Sequence, residues 1–216
     1  MCISDTHNLH NEIRMPEHES VDMVLCSGDI SGRGSIGEIR DFLFWYNSLP
    51  IKHKVFCAGN HDFGFEDKWT RTKVDEVLAS YTDIHYLEDS GVTIDGIKIW
   101  GSPQTPWFHN WAFNKQRGEE IKKYWDMIPF DTDILLTHGP AFGYGDDTAD
   151  GKAVGCVDLW NTLLDIRPKI HIFGHIHEAA GMYTYDKWYT GINASVVNRY
   201  YMVVHEPTII NYEDFL

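Results

Sequence analysis

Five short apolar segments of this chain are each followed by side chains that bind metal ions, and this pattern constrains the fold more than any other feature. The side chains are those of Asp5 and His7, then Asp29, then Asn60, His61 and Asp62, then His138, and finally His175 and His177. Alternate side chains of extended backbone point to the same face, so residues two apart, such as Asp5 and His7, can converge on one point. Open α/β sheets bind ligands beyond the carboxyl ends of their strands, and the pattern therefore predicts one shared polar site.

The residues around these side chains predict alternating strands and helices. Short β-branched runs predict buried strands over residues 21–26, 54–58, 133–136 and 169–173. Apolar residues at helical spacing predict helices over residues 36–46, 74–78, 121–128 and 157–164. Asp95-Gly96 is typical of a tight hairpin turn, and the Tyr-, Val- and Thr-rich residues 182–212 favour a strand meander. The predicted fold class is α/β with a mixed sheet, in one domain over residues 1–216.

The charge of the chain limits its partners. With 32 acidic and 18 basic side chains, the formal net charge is -14. Such a field repels phosphate polyanions unless bound cations reverse it locally, which argues against a broad nucleic-acid surface. The four cysteines lack zinc or redox spacing, so reduced, buried thiols are expected. No apolar run reaches the length of a membrane span and no leader pattern is visible, which predicts a cytoplasmic protein without a membrane partner.

The predicted ligands indicate the kind of metal. Imidazole and carboxylate donors with one amide suit Mn, Fe, Zn or Ni better than an all-oxygen Ca site. Seven ligands exceed the usual demand of one ion, and a carboxylate such as Asp29 can bridge two ions. A lone buried Asp or His is more often structural than a ligand, but an ordered series at five strand ends is not explained that way. Two divalent ions are predicted, with manganese favoured.

The residues Asp5-x-His7, Gly28-Asp29, Gly59-Asn60-His61-Asp62, His138 and Gly174-His175-x-His177 together resemble the motif set of the calcineurin-like metallophosphoesterase superfamily. That resemblance implies a four-layer α/β/β/α sandwich with two mixed β-sheets. It implies that one ion is bound by Asp5, His7, Asp29 and His177, and the other by Asp29, Asn60, His138 and His175. It also implies that His61 is the catalytic histidine.

A narrower likeness, to the small metallophosphoesterase-domain-containing branch, runs through residues 101–108, 111–114, 137–140, 173–178 and 193–195. It implies hydrolysis of small phosphodiesters of the nucleotide type, including cyclic nucleotides. The expected mechanism is attack on phosphorus by a hydroxide that bridges the two ions. His61 would donate a proton to the leaving group or bind the phosphate, and Asp62 would orient its imidazole.

Two alternative functions remain open from the sequence. The same metal centre would serve a phosphomonoesterase or nucleotidase, because the ligands do not distinguish the two esters. A non-catalytic scaffold with the same fold is the other possibility, although the complete ligand set and His61 argue against it.

The aromatic segment 107–114 is interpreted as core packing rather than as a wall over a nucleobase, with His109 and Asn110 as the weaker candidates for substrate contact.

Overall fold

The computed structural model describes residues 1–16 and 21–215. Within these ranges the strands are β1 (Cys2–Ile3), β2 (Met23–Cys26), β3 (His53–Phe56), β4 (Ile84–Tyr86), β5 (Ser90–Ile94), β6 (Ile97–Ser102), β7 (Thr105–Pro106), β8 (Asn114–Lys115), β9 (Ile134–Thr137), β10 (Ile170–Phe173), β11 (Gly181–Tyr185) and β12 (Tyr189–Asn193). The α-helices are α1 (Ile36–Ser48), α2 (Phe63–Glu66), α3 (Lys68–Leu78), α4 (Glu119–Trp125) and α5 (Val157–Ile166).

All four predicted helices and all four predicted buried strands are present. The largest difference is the start of α3, which begins at Lys68 rather than near Val74. Its first turns are polar apart from the exposed Trp69 and carry no apolar spacing, so the sequence pattern does not reveal them. The helix begins where Asp67 caps it, since the Asp67 side chain accepts a hydrogen bond from the backbone N–H of Thr70 at 2.9 Å.

The larger strands form two sheets. The first has the order β1-β2-β3-β4, and the second has the order β11-β12-β10-β9-β6-β5. The second sheet is mixed, as predicted, because its edge strands β5 and β11 run antiparallel to their neighbours. The four strands of the first sheet are instead all parallel. The strands are parallel because helical crossovers through α1 and α3 return the chain to the same end. The antiparallel part of the first sheet is a single bridge between Cys2 of β1 and Thr208.

Three apolar clusters separate four layers. Phe42 of α1 packs with Phe56 on the outer face of the first sheet. Leu25 and Leu136 belong to the cluster between the two sheets. Trp125 of α4 lies in the third cluster, which joins α4 and α5 to the outer face of the second sheet. Neighbouring residues of one strand alternate between clusters, as the period of extended backbone requires. The α/β/β/α sandwich is confirmed.

Helix α1 begins at a capping box that also anchors two loops. The Ser35 side chain accepts from the Glu38 N–H, and Glu38 accepts from the Ser35 N–H. Glu38 Oε1 also accepts from Asn8 Nδ2 at 2.7 Å and from the Gly32 N–H at 3.1 Å. One carboxylate thus joins the start of α1 to the loops that follow β1 and β2. Both loops carry predicted metal ligands.

The predicted hairpin and the predicted strand meander have different outcomes. Asp95 and Gly96 have φ angles of 49° and 84° and join β5 to β6, so the tight hairpin is confirmed. The meander over residues 182–212 is only partly present, since β11 and β12 pair but later residues form isolated bridges. The side chain of Asn198 accepts from backbone N–H groups within a turn, and Pro207 has no N–H to donate to a ladder. Both features stop strand pairing.

The buried His171 predicts how stability depends on pH. Its ring contacts Thr137 Oγ1 at 2.8 Å and the Tyr189 hydroxyl at 3.0 Å, and burial lowers the pKa of His171 to about 3. The unfolded chain binds a proton here below about pH 6.5, whereas the folded chain does not, so stability falls as pH falls through this window. From pH ~7.5 to pH ~5 this residue should cost about 2 kcal/mol of unfolding free energy.

Urea unfolding of the wild type and of His171→Gln at both pH values measures this effect. We expect a smaller loss in the variant, while His109→Gln, at an exposed position, should behave like the wild type. An equal loss in the wild type and His171→Gln would show that the His171 imidazole does not control this window.

Candidate metal centre

The predicted ligands all lie at the carboxyl ends of strands, and both sheets contribute. Asp5 and His7 follow β1, Asp29 follows β2, and Asn60 follows β3 in the first sheet; His138 follows β9, and His175 and His177 follow β10 in the second. In the described residues, three overlapping groups could hold a metal ion: Asp5, His7 and His177; His7, Asp29 and His61; and Asp29, His138 and His175. The predicted convergence is therefore present in the structure.

The first group is centred between Asp5, His7 and His177. The Nε2 atoms of His7 and His177 lie 3.2 Å apart, and His177 Nε2 lies 3.3 Å from Asp5 Oδ1. His7 Nε2 lies 3.7 Å from Asp29 Oδ2. These ring nitrogens and carboxylate oxygens face a common point.

The second group shares Asp29 with the first. His138 Nε2 lies 3.3 Å from Asp29 Oδ2 and 2.9 Å from Asn60 Oδ1. The rings of His138 and His175 meet edge to face, with centroids 5.0 Å apart. The carboxylate of Asp29 therefore stands between two sets of donors.

The backbone beneath these side chains is strained. Four ligand-type residues adopt the left-handed conformation that non-glycine residues avoid, namely Asp5 (φ 55°), His7 (φ 40°), Asp29 (φ 50°) and His175 (φ 70°). Such strain is a feature of functional sites, where the surrounding structure holds it in place. Glycines make room for the carboxylates, because a Cβ at Gly59 would collide with Asp29 and one at Gly174 would collide with Asp5.

Backbone groups orient the ligand side chains. The carbonyl of Ser27 can only accept a hydrogen bond, so Nδ1 of His138, 2.9 Å away, donates to it. This leaves Nε2 of His138 directed at Asn60 and Asp29, where it would bind a metal ion after losing its proton. The backbone N–H of His175 donates to both oxygens of Asp5, at 3.1 and 3.0 Å, and the N–H of His61 donates to Asp29 Oδ1 at 2.7 Å.

The electrostatics of this cluster fit divalent cations. Burial lowers the pKa of His7 and of His175 to about 4, so both rings are neutral and have a lone pair to offer. Burial alone would lower the pKa of His138, but the Asp29 carboxylate raises it to about 9. Buried carboxylates thus draw protons onto nearby imidazoles, and a cation in that place would release them. The mixed nitrogen and oxygen donors suit the metals predicted from the sequence.

The side chains of His61 and Asp62 have different hydrogen-bond partners and do not contact each other through them. His61 Nδ1 bonds the Gly32 carbonyl at 2.9 Å, and the His61 ring stacks on Trp111 with centroids 4.2 Å apart. The carboxylate of Asp62 accepts from the N–H groups of Ile30, Ser31 and Gly59 at 3.2, 3.0 and 2.8 Å, and from the Ser31 hydroxyl at 2.5 Å. The expectation that Asp62 orients the His61 imidazole is wrong, because these donors occupy its carboxylate.

Asp62 instead joins the two loops that carry Asp29 and Asn60. Its oxygens accept from backbone next to Asp29 on one side and from Gly59 on the other. Burial and the nearby charge of Asp29 raise the pKa of Asp62 to about 7. The side chain therefore sets the spacing between the loops rather than contacting the reaction centre.

Two aromatic residues complete the surroundings of the site. Tyr201 was not predicted from the sequence, since no short motif marks it, yet its ring centroid lies 4.8 Å from that of His7. Trp111 belongs to the segment 107–114 that was interpreted as core. Within it Ala112 and Phe113 are buried as predicted, whereas Trp107 is 51% exposed. The core interpretation is wrong for residues 107–110, which are exposed, and for Trp111, whose ring stacks on His61.

Comparison with known proteins identifies the family. The family model described as calcineurin-like phosphoesterase matches residues 1–179. This chain belongs to the calcineurin-like phosphoesterase family. Members act on phosphoesters and use divalent metal ions, which agrees with the ligand groups described above.

Relatives of this calcineurin-like phosphoesterase cover nearly its whole length. Metallophosphoesterase domain-containing protein 1 of Homo sapiens is 36% identical over 98% of the chain and 70% of its own length. A UPF0046 protein of Caenorhabditis elegans is 36% identical over 98% of the chain and 79% of its own length. A solved crystal structure at 14% identity has a TM-score of 0.68 and covers 89% of this chain and 88% of its own, which supports the fold alone. Among the described residues, none of the helices has the length and apolar character needed to cross a bilayer.

The position of Asp62 yields a prediction about metal affinity. Asp62→Asn replaces one acceptor oxygen with an NH₂ group, which repels a backbone N–H and loosens the spacing of the two loops. Substitution of a residue that orients metal ligands typically lowers metal affinity by about 10- to 100-fold. We expect a loss of that size for manganese in calorimetric titration.

Asp67→Asn is the matched control, because Asp67 also accepts a backbone N–H but caps α3 away from the ligands. It should leave manganese affinity unchanged. Equal affinity in Asp62→Asn and the wild type would contradict the positioning role of Asp62.

Proposed function

We propose that this protein is a dinuclear metal-dependent phosphoesterase. One ion would be held by Asp5, His7, Asp29 and His177, and the other by Asp29, Asn60, His138 and His175. The observation that carries the proposal is the position of Asp29, whose Oδ2 lies 3.7 Å from His7 Nε2 and 3.3 Å from His138 Nε2. A carboxylate between two donor sets is the arrangement that a bridging ligand needs.

Manganese is the favoured metal, with Fe, Zn and Ni as alternatives, because the donors are imidazole nitrogens, carboxylate oxygens and one amide. When bound, divalent ions would neutralise phosphate oxygens and lower the pKa of water at the site. The side chains of the chain itself hold the donors in place and exclude bulk water, since Asp5 and His138 are fully buried. His61 would donate a proton to the leaving oxygen or bind a phosphate oxygen.

We favour phosphodiesters over phosphomonoesters as substrates. In the described part of the chain, no lysine or arginine forms an ion pair with Asp5, Asp29 or Asp62. The positive charge beside these carboxylates would therefore come from the ions and imidazoles, while Arg33 lies farther out, over the Trp111 ring. A singly charged diester needs less compensation than a doubly charged monoester. Nucleotide-type diesters, including cyclic nucleotides, are the proposed class because aromatic rings border the site.

The proposal extends to the organisation and location of the protein. We propose that residues 1–216 act as one domain, since ligands from both sheets build one centre. A cytoplasmic location is proposed because all four cysteines, Cys2, Cys26, Cys57 and Cys156, are buried and free. Reduced thiols of this kind are usual in reducing compartments.

The first test is hydrolysis of an aryl phosphodiester and the matching monoester by metal-stripped protein, with and without Mn²⁺. We expect manganese-dependent cleavage that favours the diester and that Asp29→Asn abolishes, because the amide does not supply a bridging charge. Asp95→Asn, in the exposed hairpin turn, is the matched control and should retain activity.

Faster cleavage of the monoester would move the assignment to a phosphomonoesterase or nucleotidase. Absence of cleavage of both esters, in folded protein that binds two ions, would contradict an enzymatic function and favour the scaffold.

His61→Ala tests the catalytic histidine. Loss of a general acid typically lowers turnover by about 10²- to 10⁴-fold. We expect kcat to fall by that amount while metal content, measured by elemental analysis, stays at the wild-type level. His205→Ala, at an exposed histidine outside the candidate ligands and outside segment 107–114, should leave both unchanged. Loss of an ion from His61→Ala would instead make His61 a ligand.

A further inference from the structure

Tyr201 is in contact with the candidate metal centre although it belongs to no ligand motif. Its ring meets His7 and His177 edge to face, with centroids 4.8 and 5.5 Å away. The centroid of His61 lies 6.2 Å from that of Tyr201. One tyrosine therefore borders two proposed ligands and the proposed catalytic histidine. A substrate bound at this centre would therefore lie near the ring.

The backbone at Tyr201 is in the left-handed conformation, with φ 56°. The residue ends a tight loop, in which its N–H donates to the Asn198 carbonyl at 2.9 Å and Val197 bridges Val203. Glycine is the usual residue at such a position, because a bulky side chain is strained there. A strained residue beside a candidate site supports a hypothesis of function when its side chain also contacts that site, as the Tyr201 ring does.

The loop holds the ring of Tyr201 in a defined place. The Asn198 N–H donates to the Met202 carbonyl at 2.9 Å, and the Asn198 side chain accepts from the N–H groups of Tyr200 and Met202 at 2.9 and 3.2 Å. The loop is thus closed by its own hydrogen bonds on both sides of Tyr201. A fixed ring loses little conformational freedom when a substrate binds, which favours its use in recognition.

The ring is also accessible to a ligand, since Tyr201 is 48% exposed. Aromatic rings bind flat aromatic groups by stacked or edge-to-face contact. We propose that Tyr201 determines specificity by packing its ring against the ester group that is not displaced, so that the site prefers diesters in which this group is aromatic. This inference rests on the proposed phosphodiesterase function.

Two diesters with the same leaving group test the inference: phenyl p-nitrophenyl phosphate and methyl p-nitrophenyl phosphate. The measured quantity is the ratio of kcat/KM for the phenyl diester to that for the methyl diester, on manganese-loaded protein. Tyr201→Leu keeps a bulky side chain in the same strained backbone but removes the ring. We expect it to lower the ratio by about tenfold, the usual scale of a lost stacking contact.

Three further variants make the test specific. Tyr201→Phe should keep the wild-type ratio, because the ring remains. Tyr200→Leu is the matched control at a neighbouring tyrosine that is 64% exposed, and it should also keep the ratio. Tyr201→Gly should lower the ratio while its melting temperature equals or exceeds that of the wild type, since the strain is relieved. An unchanged ratio in Tyr201→Leu, or an equal loss in Tyr201→Phe, would overturn the proposal.

A binding experiment separates this inference from the proposed function. If the wild type cleaves neither diester, the phosphodiesterase assignment fails, and calorimetry with phenylphosphonate and methylphosphonate on the manganese-loaded protein still tests Tyr201. We expect tighter binding of phenylphosphonate by the wild type and no such preference in Tyr201→Leu. Equal preferences in the two proteins would overturn the role of Tyr201 regardless of activity.

Discussion

The burial of two carboxylates among imidazole rings is the constraint on which the rest of the site depends. Asp5 and Asp29 are 0% and 2% exposed, and both lie beside histidine nitrogens rather than water. Removing such charges from water is costly unless positive charge is placed next to them. In the protein alone that charge comes from protons on His138 and His177, whose pKa values are raised. Divalent ions would supply it more strongly, so the folded chain is electrostatically prepared for them.

This constraint explains why the surrounding backbone is arranged as it is. Four candidate ligands have left-handed conformations, and Gly59 and Gly174 leave room for carboxylates at positions where any Cβ would collide. Both oxygens of the Asp62 carboxylate accept hydrogen bonds from the two loops, so this side chain joins the loops instead of contacting a substrate. Each feature costs free energy locally, and the three apolar clusters between the layers of the sandwich supply the stability that maintains these features. The strained backbone and the fixed loops at the site are therefore both consequences of holding two buried carboxylates next to positive charge.

Much of the fold follows from local sequence pattern. The strand and helix periods around Val55, Leu136 and Leu43 predict their burial, and Asp95-Gly96 predicts its hairpin, because these signals depend on neighbours in the chain. In α5 the predicted apolar face is wrong, since Val157 and Leu164 are exposed and Leu163 is buried. The parallel order of the first sheet and the limited extent of the meander were not predictable in the same way. The order of the first sheet depends on crossover direction, which is decided only when distant segments pack together. The meander is limited by the Asn198 turn and by Pro207, local features that the β-rich composition around them obscured.

The sequence by itself determined the set of candidate ligands and the α/β class, because ligand-type side chains at strand ends and two hydrophobic periods are local properties that any chain with this pattern carries. Only the tertiary structure decided what the remaining polar and aromatic residues do. It assigned Asp62 to loop spacing and the Gly32 carbonyl to the His61 ring. It also brought Tyr201 to His7 across a large separation in the chain. Such contacts are set by packing between segments, which leaves no mark on the sequence around either partner.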